Sequence, residues 1–122
     1  MTRFVFTLGF VLAAAAFASA AARAETAEDN YRLYCVQCHG TAGNGQGINQ
    51  TAGGLAVSAR NHGDAVEMSK LGDDEIQLAI AKGGEAVQKS ELMPPWGGVL
   101  SAKEIDELVV LMRRLCKCVV AK

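Results

Sequence analysis

The 122-residue sequence predicts an all-helical fold. Three observations lead there. Apolar residues recur at the three- and four-residue spacing of helix faces, most clearly over 101–116. Hydroxyl and acidic residues stand at the starts of these stretches, where caps and first turns favour them. Between them lie two loops dense in glycine or proline, over 40–54 and 85–100.

The first predicted helix spans 27–38, with Thr26 as N-cap and Glu28 and Asp29 in the first turn, where the helix dipole favours acids. Tyr31 and Cys35 lie four apart on one face, and Tyr31 reads as a helix–helix packing residue. At the helix end stands Cys35-Val36-Gln37-Cys38-His39, the pattern of c-type haem attachment. Two spacer residues in a helical turn bring both thiols over one porphyrin edge, each to add across one vinyl group. The following residue then points its imidazole at the iron as the proximal ligand. A zinc site needs a second ligand pair, and none follows. A thioredoxin-like redox pair needs a surrounding βαβ pattern, which is also missing.

Six glycines punctuate 40–54, which reads as a loop wrapped closely on a flat cofactor rather than a phosphate cradle, since no strand precedes it. Leu55 and Val57 are candidates for packing on the cofactor face. Arg60, Asn61 and His62 are polar candidates for its propionates or, equally, ordinary loop and cap residues. A short helix follows over 64–70, with Val66 and Met68 as its longer apolar members. The helix over 73–82 starts at Gly72 or Asp73, buries Ile76, Ala79 and Ile80, and stops at Gly83-Gly84. The second loop centres on Leu92-Met93-Pro94-Pro95-Trp96-Gly97-Gly98, where two prolines bar a helix and stiffen the backbone around Met93. The last helix, 101–116, opens with a capping box of Ser101 and Glu104 and presents Ile105, Leu108, Val109, Met112 and Leu115 on one face.

Residues 1–24 carry an early arginine, an apolar run and a small-residue end at Ala22-Arg23-Ala24, the form of a secretory signal peptide. The expected mature domain is 25–122, with membrane association only if the leader stays uncleaved. Its ten basic residues against thirteen acidic argue against a nucleic-acid partner. A chain of this size buries a modest core, which a haem would complete.

Together, Cys35-x-x-Cys38-His39-Gly40, the Met93-Pro94-Pro95 loop and the capped final helix resemble the class I cytochrome c family in its small bacterial periplasmic form. The resemblance covers essentially all of 25–122. It implies four to five helices wrapped around one haem c, with the first and last helices crossing. It also implies thioether links at Cys35 and Cys38, iron ligation by His39 and Met93, a periplasmic location and redox partner proteins. The sequence departs from the family in two places. Ala27 and Leu111 stand at the expected helix crossing, and the proline that often supports the proximal histidine is missing. The carbonyl that accepts the His39 ring proton is therefore left open.

Three functions are compatible with these residues. The first is a one-electron carrier whose saturated iron leaves no site for a small-molecule substrate, and so not an enzyme by itself. The second is a haem-bearing subunit of a periplasmic dehydrogenase or reductase. The third is a ligand-binding haem sensor, which requires a weak sixth ligand. Candidates for that ligand are Met68, Met93, Met112 and His62, of which the stiff loop favours Met93. Cys116 and Cys118 are one residue apart, a spacing that strains a mutual bridge; a structural thiol or a link to a partner remains open.

Overall fold

The computed structural model describes residues 25–120, and the expected leader lies outside them. Six α-helices and one 3₁₀ turn make up this region, and no strand occurs among the described residues. They are α1 (Ala27–Tyr34), α2 (Val36–His39), α3 (Ile48–Thr51), α4 (Ala65–Ser69), α5 (Asp73–Lys82), a 3₁₀ turn (Gly84–Val87) and α6 (Ala102–Cys116).

The predicted first helix is divided. The Thr26 side chain accepts from the Asp29 amide and the Asp29 side chain returns the bond, a complete capping box. The helix then breaks at Cys35 (φ −112°) and resumes as the four residues that carry the second thiol and the imidazole. The bend re-aims the motif without releasing it, because the Cys35 amide still bonds the Tyr31 carbonyl and the His39 amide bonds the Cys35 carbonyl.

The core lies where α1 and α5 each pack on α6. Leu108 is fully buried, with Ile105, Val109, Leu111 and Met112 around it. Ala27 and Leu111, the two departures from the family at the expected helix crossing, both belong to this core. Asn30, wholly buried on α1, directs its amide nitrogen to Glu104 Oε1 at 3.4 Å. The α6 capping box of Ser101 and Glu104 forms as predicted. Arg113, 13% exposed in its side chain, ties α6 to the start of α5. It donates to the Met68 carbonyl, to the Leu71 carbonyl and to Asp73, each at 2.7 Å.

Two features are settled by the backbone. Cys116 and Cys118 form a mutual disulfide with Cα atoms 5.1 Å apart, inside the span such a bond requires. The bridge closes because Lys117 takes the left-handed conformation (φ 53°) and folds the chain back after α6. Neither thiol is then left to link a partner. The glycine loop, for its part, wraps the motif helix. The Gly45 amide bonds the His39 carbonyl and the Gly47 amide bonds the Cys38 carbonyl, satisfying the end of α2. A Cβ on Gly47 would lie 2.3 Å from the Gln37 carbonyl oxygen, so close backbone approach is what demands glycine there.

Candidate haem site

A cavity of about 750 Å³ opens between α1–α2, the 55–62 strap, α4, α5 and the Met93 loop. That is within the roughly 300–1,000 Å³ typical of cofactor pockets. Cys35, Cys38, His39 and Met93 all line it, so the four predicted site residues meet in one space although up to 58 positions separate them. Leu55, Val57, Ile76, Ile80 and Leu100 supply apolar walls, and Arg60 brings a cation to them.

Each functional side chain is held by identifiable local structure. His39 sits at the end of α2, and its Nδ1 lies 2.9 Å from the Arg60 carbonyl. This answers the question left by the missing proline. The ring donates through Nδ1, so Nε2 is the lone-pair nitrogen available to a metal. Burial, above all, holds the His39 pKa below its ordinary value, which keeps that lone pair free. Cys35 and Cys38 are unbridged. Burial, and next its neighbour Cys38, push the Cys35 thiol up to about 12. A thiol so shielded is poorly suited to be the low-pKa nucleophile of a disulfide oxidoreductase. Among the described residues no cluster of three or more His, Cys, Asp or Glu is arranged to hold a metal ion.

Met93 is positioned by the end of α5. Gly83 stops that helix with φ 87°, ψ 172°, and the Gly84 amide donates to the Met93 carbonyl at 2.9 Å. The loop then returns the favour: the Trp96 amide bonds the Ile80 carbonyl and the Gly97 amide bonds the Ala81 carbonyl. The open C-terminal carbonyls of α5 thereby become the dock for the 93–97 segment. Trp96 also pairs with Tyr34 of α1, ring centroids 4.9 Å apart, fastening the loop to α1 beside the cavity both residues line. Met68 and Met112 share the cavity wall but are 1% and 3% exposed and belong to the core.

His62 lines the same cavity. Its ring stacks on His39, with centroids 4.1 Å apart and planes 19° from parallel, and its Nδ1 lies 2.9 Å from the Tyr31 hydroxyl. It therefore flanks His39. Burial, then the neighbouring His39, hold its pKa well below the ordinary value. Asn61 turns its side-chain oxygen to the Gly63 amide. Sequence reasoning missed the Arg60 carbonyl and the Tyr31–His62 pair. A backbone acceptor leaves no mark on residue identity, and Tyr31 carried a sufficient packing explanation.

The residues fit a covalently held haem: two free thiols at attachment spacing, an imidazole with one nitrogen satisfied and the other available, a thioether, and an apolar cavity of suitable size. The family model for cytochrome c oxidase, cbb3-type, subunit III matches residues 22–112. The chain belongs to that family. It is a small class I c-type cytochrome, an electron-transfer haem protein with the all-α fold its sequence predicts. Among solved structures the cytochrome is similar to the KustC0563 c-type cytochrome, with a TM-score of 0.60 and 28% identity over 75% of this chain and 98% of that one. No curated protein matches it.

Proposed function

We propose that this cytochrome is a periplasmic one-electron carrier whose single haem c is joined to Cys35 and Cys38 and ligated by His39 and Met93. The observation that carries the reading is the convergence of the attachment motif and the Met93 loop on one cavity. When bound, the haem supplies reversible one-electron chemistry at iron, Fe(III) to Fe(II), and a thioether ligand raises the potential by favouring the reduced state. The protein's part is to hold geometry. The Arg60 carbonyl orients the imidazole, and the α5 terminus anchors the backbone of Met93. Packing inside the core accounts for Met68 and Met112 without the iron. Redox partner proteins donate and accept the electron, and the apolar wall keeps water from the iron.

Acid–acetone extraction tests the attachment. Haem should stay on the wild-type polypeptide, and Cys35→Ala or Cys38→Ala should weaken or abolish stable holo-protein. Extraction that strips the colour refutes the thioether links. Met93→Ala tests the sixth ligand. The red-end ferric absorption should vanish, the potential should fall and the ferrous protein should bind carbon monoxide. Retention of that band and of the wild-type potential assigns the ligand to another residue. A second reading, a haem-bearing subunit of a larger electron-transfer complex, draws on the matched family, whose description names an oxidase subunit. Co-purification of a stoichiometric partner would favour it.

A further inference from the structure

We propose that His62 is a positioning residue for the axial ligand: stacked on His39 and tied to α1 through Tyr31, it fixes the plane that the His39 imidazole presents to the iron. The inference rests on His39 being that ligand. One hydrogen bond, to the Arg60 carbonyl, anchors a single nitrogen of His39 and leaves the ring free to rock about the bond. The second constraint is a flat face. The His62 ring lies 4.1 Å from that of His39 and within 19° of parallel, so rotation of His39 about its Cβ–Cγ bond drives its edge into His62.

His62 is itself immobilised. Its amide donates to the Gly43 carbonyl, its Nδ1 meets the Tyr31 hydroxyl at 2.9 Å, and only 5% of the residue is exposed. Tyr31 is 4% exposed and stands edge-on to the His62 ring, with planes 68° apart. The position calls for both properties of an imidazole. A flat face meets His39, and a polar edge satisfies a tyrosine hydroxyl that an aliphatic residue would leave buried and unpaired. Arg60 and His62, two residues apart on one strap, thus supply the two constraints together, one from backbone and one from side chain. Residues that orient a metal-bound histidine tune the metal without touching it.

The plane of an axial imidazole sets how unpaired ferric electron density is distributed over the porphyrin. The hyperfine-shifted haem-methyl proton resonances read that distribution, and the anisotropy of the low-spin ferric electron paramagnetic resonance signal reads the same plane. The test compares holo-protein of the wild type, His62→Leu, His62→Phe and Tyr31→Phe. All should remain low-spin, since His39 still ligates. His62→Leu should reorder the four methyl shifts or compress their spread and broaden the low-field resonance feature. His62→Phe, which keeps a flat face, should restore most of the wild-type pattern. A purely structural role would lower the thermal midpoint of both variants and leave the methyl pattern in place.

A wild-type pattern in folded His62→Leu overturns the proposal, as does a His62→Phe pattern no closer to wild type than that of His62→Leu. If His62→Leu fails to assemble, Tyr31→Phe decides, because it removes one hydroxyl and keeps the packing ring. An altered methyl pattern there supports the proposal and an unaltered one overturns it. The ligand assignment is tested apart from all this by His39→Ala. Survival of the wild-type low-spin signal in that variant means that His39 is not the ligand, whatever the His62 variants show.

Discussion

Replacing Gly83 by alanine should damage the cytochrome in a way that isolates the Met93 loop. Gly83 has φ 87° and ψ 172°, a backbone region essentially reserved for glycine, so alanine there carries strain of about 1–3 kcal/mol. The added Cβ would also lie 2.9 Å from the Met93 carbonyl oxygen and 3.2 Å from the Pro95 nitrogen. Both contacts are with backbone, and Pro94 and Pro95 leave that backbone little room to give. Relief requires the Met93 carbonyl to move away, which weakens its bond from the Gly84 amide, worth about 0.5–1.5 kcal/mol. The expected loss is about 2–4 kcal/mol in total. Denaturant unfolding of the ferric holo-protein measures it, and the red-end absorption band reports the thioether in the same sample. Gly98→Ala is the control: a Cβ at Gly98 meets nothing within 4 Å, so its effect should stay within about 0.5 kcal/mol. Unchanged stability together with an undiminished band in Gly83→Ala would refute the argument that the end of α5 positions Met93.

Two further outcomes are expected. Arg113→Ala should cost about 1.5–3 kcal/mol, because a mostly buried guanidinium leaves the Met68 and Leu71 carbonyls behind, whereas Arg114→Ala, which breaks an exposed pair with Glu28, should cost clearly less; chemical denaturation of the two variants side by side checks the ranking. Intact mass of the exported protein, corrected for one haem, should place the mature N-terminus at Glu25, and residues 1–24 retained in a membrane fraction would instead indicate an uncleaved anchor.

Local rules carry part of the structure without help from the rest of the chain. Thr26 with Asp29 and Ser101 with Glu104 mark two helix starts through bonds that span three residues, and such bonds are decided by neighbours in sequence. The alternation of Ile105, Leu108, Val109 and Met112 selects the buried face of α6 for the same reason. The attachment motif is legible because its chemistry operates within one helical turn. Where a contact is made between distant backbone segments, that legibility ends. The six glycines of 40–54 announce close approach but not what is approached, and Gly47 turns out to meet the Gln37 carbonyl on the back of the motif helix. The pairing of Cys116 and Cys118 stayed open in the sequence because their bridge depends on a left-handed lysine between them, a conformation residue identity does not disclose.

The sequence by itself therefore determined the helical class, the start of α1, the positions of α5 and α6, and the candidate residues for a haem. Tertiary structure alone decided which carbonyl receives the His39 ring proton, that His62 flanks this histidine, and how the carbonyls of α5 dock the Met93 loop. The division has a physical cause. Caps, periodicity and attachment spacing are set by atoms a few residues apart. The surroundings of the His39 ring come from a backbone oxygen 21 residues away and a ring 23 residues away, and only the folded chain brings those together.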